Sequence, residues 1–313
     1  MRGTLLYIGQ RLVLIAITTV LVSSVVFLLL HQIPGNAFLN ETRQTPQSLA
    51  AQLHHYGLDK PLPQQYTDWV TGVLHGNLGE SLINRGVKIT PLLLREMSVS
   101  ATVGFFALLV TIGLGLLLGV IAALRQNTWV DYVASSSAVV GYSVPNFVIA
   151  ILALLIFGHY FYIWTDGTVY YNVGWGDWTQ IPIPAIALGL PYASYVARLT
   201  RASMLETIRT DYVRTAWAKG LKPRIVVMRH ALRNALIPVV TILGPLTTGI
   251  ITGSVVIENI FGIPGLGKEF VTSILARDYN IVIGVFTFYA ALVGLANLAV
   301  DVIYPVLDPR IRY

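Results

Sequence analysis

The sequence predicts an all-α membrane protein that crosses the bilayer six times, and three observations carry that expectation. About 55% of the 313 residues are apolar and only 12% are charged, half the charged share of a soluble domain. Six stretches hold no Lys, Arg, Asp or Glu, namely 12–30, 97–124, 132–165, 178–197, 234–257 and 279–300. A helix crosses the hydrocarbon core with about 20 residues. The charge that remains is gathered. Segment 198–233 carries nine basic residues against Glu206 and Asp211, a balance of +7, while the whole chain is +6. This composition excludes a disordered or collagen-like chain and argues against a cytosolic enzyme. The chain has no cysteine, which excludes disulfides, a thiolate metal site and a Cys nucleophile.

Taken in order, residues 1–11 form a cytoplasmic N-terminus and 12–30 the first span. That apolar run exceeds the 7–15 residues of a signal peptide and no small-x-small site follows, so it reads as an uncleaved anchor. Residues 31–96 form an extracytoplasmic loop, and 97–124 the second span, where Gly113, Gly115 and Gly119 are spaced for close helix approach. A cytoplasmic loop, 125–131, leads to the third span, 132–163. There Tyr142-Ser143-Val144-Pro145-Asn146 sets polar groups beside a kink, read either as packing or as pathway lining. Residues 164–181 form an outer loop with two Asp in 166–177 and no Lys or Arg. The fourth span, 182–204, has prolines near its start. A cytoplasmic loop, 205–235, precedes the fifth span, 236–257, which contains Pro238 and Pro245. An outer loop, 258–279, the sixth span, 280–302, and a cytoplasmic C-terminus, 303–313, complete the chain. The excess of Lys and Arg on one side puts both termini in the cytoplasm.

The basic segment reads as helix, Gly, Pro, helix. Met204, Ile208, Tyr212 and Ala216 recur every four residues, the spacing of one helical face. Gly220 suits a left-handed C-terminal position, and Pro223 the first turn of the next helix. Flanking spans keep such a pair from a major groove, so no nucleic-acid partner is expected. An amphipathic helix pair under a membrane instead suits docking into a groove of a soluble protein. Small Ala216, Ala218 and Gly220 would permit close approach, with arginines to meet acidic groups.

Other motifs carry less. Gly262-Ile263-Pro264-Gly265-Leu266-Gly267-Lys268 matches GxxxxGK, but Glu269 follows where a phosphate loop needs Ser or Thr, and no strand precedes it. A tight turn is expected instead. His54-His55 lacks a third ligand, and Asn40-Glu41-Thr42 is a triplet common by chance. No metal or cofactor site is expected. Few ionisable groups lie mid-span, unlike proton-coupled transporters, so the energy for transport is expected to enter from another chain. A transporter or channel working alone, and a membrane-embedded enzyme, are the rival readings.

Several ordered stretches make the chain recognisable: His31-Gln32-Ile33-Pro34-Gly35-Asn36, Gly57-Leu58-Asp59-Lys60-Pro61-Leu62, Gly76-Asn77-Leu78-Gly79-Glu80-Ser81, Ala197-Arg198-Leu199-Thr200-Arg201, Asp211-Tyr212-Val213-Arg214-Thr215-Ala216-Trp217-Ala218-Lys219-Gly220-Leu221, Arg229-His230-Ala231-Leu232-Arg233-Asn234, Pro264-Gly265-Leu266-Gly267 and Asp308-Pro309-Arg310. In this order they resemble the permease subunits of ABC importers of the dipeptide/oligopeptide/nickel class, most closely the first of two permeases. The resemblance implies the ABC importer permease fold in a bacterial or archaeal plasma membrane. It implies no cofactor in this chain, with ATP and Mg bound by partner ATPase subunits. The implied partners are two ATPase subunits, a second permease, an extracytoplasmic solute-binding protein and the lipid bilayer. The cargo would be a di- or oligopeptide, with nickel or another small solute as the alternative. Carried over residue by residue, Arg214, Thr215, Ala216, Trp217, Ala218, Lys219, Gly220 and Leu221 form the loop coupled to the ATPase. Arg214 stands where many permeases have Glu, and Trp217 is bulky for the motif. Tyr142, Ser143, Asn146 and Tyr192 are the candidate pathway residues.

Overall fold

The computed structural model describes residues 2–33, 45–168 and 171–307. Pro34-Gly35-Asn36, Asn40-Glu41-Thr42 and residues 308–313 lie outside them. No strand occurs among the described residues beyond a single bridge between Glu80 and Lys88. In chain order the helices are α1 (Arg2–Gln32), α2 (Pro46–His55), α3 (Leu62–Leu74), α4 (Ile89–Leu124), α5 (Trp129–Ser143), α6 (Asn146–Trp164), α7 (Pro182–Ile208), α8 (Asp211–Ala218), α9 (Pro223–Ala235), α10 (Ile237–Ile251), α11 (Val255–Phe261), α12 (Leu266–Ala276) and α13 (Tyr279–Leu307). The chain divides into two compact units, 1–99 with 264–295 and 100–263 with 296–313.

In the first unit, Leu78, Ile89, Leu93, Leu266, Ile281 and Val285 form a buried core. Buried Asp278 fastens the turn before α4 to the start of α13. Its carboxylate accepts the N–H groups of Leu82 (3.1 Å), Ile83 (3.3 Å) and Ile281 (3.3 Å), and the hydroxyl of Ser81. A buried carboxylate requires such donors, since an unsatisfied one costs its full desolvation. Segment 31–96 is thus more than a connection: it contains α2 and α3, and α4 already begins at Ile89 rather than at residue 97. Arg95 and Glu96 hid that start by ending the apolar run, yet both are helical and Glu96 is buried.

In the second unit α7 is the central helix, in contact with α5, α6, α9, α10 and α11. Pro182 and Pro184 fall in its first turn, where a missing N–H costs no hydrogen bond. Neighbours reach its backbone through glycine. A Cβ at Gly115 would lie 2.7 Å from the Val196 side chain, and one at Gly119 would lie 2.6 Å from the Ala197 carbonyl. Gly113 meets nothing within 4 Å, so only two of the three glycines spaced for packing serve it. Glu258, also buried, accepts the Ser100 hydroxyl at 2.8 Å beside Gly253, whose φ is +92°.

Four described helical segments are long and apolar enough to cross a membrane: Leu6–Gln32, Ile89–Leu124, Asn146–Trp164 and Tyr279–Val302. The pair Pro223–Ala235 and Ile237–Ile251, bent by 50°, adds a fifth if it acts as one span. The expected fourth span, within α7, is long enough at 27 residues, but its prolines, small residues and arginines make it less apolar. Residues 132–163 do not form one helix. Val144 is extended (φ −79°, ψ 126°) ahead of Pro145, as the steric clash of a proline with its predecessor requires. Residues 236–257 are also divided, because α10 ends at Ile251 and Ser254 caps α11 by accepting the N–H of Ile257.

The glycine contacts predict a contrast. Gly119→Ala should destabilise the protein by about 1–3 kcal/mol through overpacking, read as a lowered Tm in detergent, whereas Gly113→Ala should cause no loss. Equal effects of the two would refute the close approach of α4 to α7.

Candidate functional site

The segment after α7 folds as two short helices joined by a tight turn. Arg209 ends α7, and Thr210 turns extended (φ −71°, ψ 151°) before α8 starts at Asp211. The fourfold recurrence of Met204, Ile208, Tyr212 and Ala216 therefore runs across two helices and is not one face. At the far end Lys219 follows α8 and Gly220 is left-handed (φ +69°), its N–H donating to the Trp217 carbonyl at 2.9 Å. No atom lies within 4 Å of the position a Gly220 Cβ would take, so the backbone conformation, not crowding, calls for glycine. Lys222 is extended and Pro223 opens α9. Within α9, Val226–Ala231 is a π-helical segment that no sequence signal announced.

Burial sorts the eight expected coupling residues. Val213, Ala216 and Val226 form a small buried cluster with Leu221 packed against it. Ala216 thus holds α8 to its own chain and is not part of the exposed surface. Arg214, Thr215, Trp217, Ala218, Lys219 and Gly220 are exposed. Arg214 lies 3.7 Å from Asp211 with both side chains exposed, a pair of little energetic weight. Behind α8 lies a cavity of about 710 Å³ with mainly apolar walls, including Ala123, Ile208, Val213, Trp217 and Val227.

About two turns before that segment lies a pairing that sequence reasoning missed. Arg201 on α7 donates through Nε to Asp131 Oδ1 at 2.6 Å and through Nη2 to Oδ2 at 2.7 Å. The Asn127 N–H (3.0 Å) and the Ser135 hydroxyl (3.2 Å) complete the carboxylate's bonding. The Arg201 guanidinium lowers the Asp131 pKa from the ordinary carboxylate range to about 2. The available signal was Asp131 itself, the only acidic residue between Glu96 and Asp166.

The candidate pathway residues are only partly brought together. Tyr142 and Ser143 end α5 and are exposed, Asn146 begins α6 and is half-buried, and Tyr192 is half-buried on α7. A Cβ at Gly141 would lie 2.2 Å from Ser194 Oγ, and this close approach sets Tyr142 on Tyr195, with ring centroids 5.7 Å apart. Arg198 lies over both rings, at 5.3 Å and 5.7 Å. The GxxxxGK stretch is a turn followed by a helix. Gly262 is left-handed (φ +68°) and Lys268 lies in the first turn of α12. Burial, with Asp278 nearby, raises the Glu269 pKa. His54 bonds Asp59 at 2.8 Å in an exposed pair.

Residues 115–313 match the family described as binding-protein-dependent transport system inner membrane component, and residues 4–87 match its N-terminal counterpart. The chain belongs to this family. It is 40% identical over 307 residues to the dipeptide transport system permease protein DppB of Bacillus subtilis (strain 168), covering 98% of this chain and 97% of that one. It is 38% identical over 298 residues to the oligopeptide transport system permease protein OppB of Escherichia coli (strain K12), covering 95% of each. In fold it is similar to a chain of the MetNI methionine ABC transporter in an inward-facing conformation, with a TM-score of 0.56 and 19% identity over 69% of this chain and 96% of that one. This permease is a multi-pass membrane component of a binding-protein-dependent importer.

Removing Asp131 from the permease leaves a charged, partly buried Arg201 without its carboxylate. Asp131→Asn should cost about 3 kcal/mol, measured as lowered thermal stability in detergent, with Asp131→Glu losing less. Because the native pKa is depressed, the pair's contribution is present above the ordinary value of about 3.9. It is lost only as pH falls towards about 2. Stability should therefore show no step from this pair at neutral pH, and one there would count against it.

Proposed function

We propose that this permease forms half of the translocation pathway of an ATP-driven importer of di- or oligopeptides. In this reading the chain crosses the membrane six times with both termini in the cytoplasm, and a second permease completes the pathway. A solute-binding protein delivers peptide at the outer face, and two ATPase subunits supply the energy. The substrate class rests on the names of the relatives, which span nearly the full length of the chain. Here the permease itself hydrolyses nothing.

The observation that supports coupling through residues 214–221 is the outward surface of α8. Arg214, Thr215 and Ala218 on α8 and Lys219 and Gly220 just after it are exposed, while Trp217 is exposed at the rim of the cavity behind α8. The buried face of α8, through Val213 and Ala216, binds it to α9. A partner seated on that surface therefore pushes on a packed helix pair rather than on a loose loop. The pair continues into α7 on one side through Thr210 and into α10 on the other through Leu236. ATP binding that draws the ATPase subunits together would move this pair and, with it, the helices of the second unit.

The test is uptake of a radiolabelled dipeptide by proteoliposomes holding the complete importer. Ala218→Asp changes an exposed position, so that chain should still assemble and span the membrane; Gly220→Trp adds left-handed backbone strain of about 1–2 kcal/mol, so its folding is checked by yield and Tm in detergent. Each should lower ATP-driven uptake at least tenfold and abolish stimulation of ATP hydrolysis by the loaded binding protein. Full uptake in both would overturn the coupling assignment. Ala216→Asp is a poor probe, because it buries a charge within the permease itself.

A further inference from the structure

Two arginines stand one turn apart on α7 in opposite circumstances. Arg201 has its anion built in, since both oxygens of Asp131 are committed to it. Arg198 is exposed, and no carboxylate pairs with it among the described residues. Its guanidinium instead lies over the rings of Tyr195, on the turn before it, and Tyr142, at the end of α5.

Position makes this unusual. Six residues, about 9 Å of helix, separate Arg198 from the expected end of the fourth span at residue 204. A long cationic side chain near a span end would ordinarily reach for the headgroups. This one leans towards the N-terminus, as helical side chains do, and so lies over the preceding turn. An arginine held there faces a water-filled path or another protein surface, because lipid would not solvate it. The guanidinium carbon lies 5.3 Å and 5.7 Å from the two ring centroids, within cation–π range. A guanidinium carries its N–H donors in a rigid fork that pairs with a carboxylate, and no carboxylate takes them among the described residues.

The neighbouring backbone favours a peptide as the source of that carboxylate. Helix α5 stops at Ser143, Val144 is extended, and Pro145 has no N–H. Carbonyls in the last turn of α5 are therefore left without intrahelical donors. Tyr142 belongs to that turn. Acceptors for a peptide's N–H groups thus lie beside a cation for its terminus.

We propose that Arg198, cradled by Tyr142 and Tyr195, forms a site that takes the C-terminal carboxylate of a peptide in transit. This rests on the reading that the permease passes peptides. The site favours cargo with a free carboxylate at the permease itself, after the binding protein has made its own choice.

The experiment uses the complete importer in proteoliposomes and one dipeptide in two forms, free acid and C-terminal amide. Each is supplied on saturating binding protein whose loading is measured separately, so that turnover is read apart from capture. The wild type should move the acid faster than the amide. Arg198→Gln should lower turnover of the acid about tenfold or more, to the level of the amide, and leave the amide unchanged. That factor matches the loss of one charge-assisted hydrogen bond. Arg198→Lys should lie between, and Tyr195→Leu should weaken acid selectivity while co-purification of the ATPase subunits is retained. Equal loss for both forms in a fully assembled variant would overturn the proposal and assign Arg198 to contact with another subunit. Unchanged turnover of the acid would overturn it too. If the wild type moves neither form although both are loaded, the peptide-importer reading fails first and takes this site with it.

Discussion

Close backbone approach around one helix, Pro182–Ile208, is the constraint on which the second unit depends. In a bilayer, lipid tails are as apolar as side chains, so burial of apolar surface does little to draw helices together and contact geometry decides. Here that geometry comes from small residues. Gly115 and Gly119 of α4 and Gly141 of α5 admit the side chains or carbonyls of α7 at distances a Cβ would forbid. Gly189 on α7 admits the Ala107 carbonyl in return, and the Thr111 hydroxyl bonds the Gly189 carbonyl at 3.1 Å. The helix is less apolar than its neighbours because much of it faces protein rather than lipid.

Once that spacing is set, the polar groups follow. Asp131 reaches Arg201 only because α5 lies against α7, and the same contact stacks Tyr142 on Tyr195. The bidentate pair then anchors the 125–131 connection and the first turn of α5 to the helix that leads into the basic segment. A force applied at α8 has a rigid route to the α5 break at Pro145. In the proposed importer this would join the surface proposed to meet the ATPase to the residues proposed to lie beside the cargo, through Thr210, α7 and the Asp131–Arg201 pair.

Much of this was legible in the residues. Uncharged runs located the apolar helices, and the Gly220 and Pro223 pair located the turn between α8 and α9. Pro145 marked the break. Less legible were the helix starts and ends hidden by charge, as at Ile89, where Arg95 and Glu96 interrupt the apolar pattern without interrupting the helix. The recurrence from Met204 to Ala216 misled because the backbone turns at Thr210, and periodicity does not register a single extended residue. Ala216 looked like a docking residue by its size, but size does not reveal which way a side chain faces.

By itself the sequence determined the class of protein, its helical content, the place of its basic segment and its family. Those properties follow from composition, from local backbone preferences and from ordered motifs along the chain. Only the tertiary structure decided which glycines are contacts, which arginine owns Asp131, and which lies over two tyrosines. Those pairings join residues distant in the chain, Asp131 with Arg201 and Tyr142 with Arg198. They depend on how near and at what rotation two helices meet, a property of packing that no local pattern encodes.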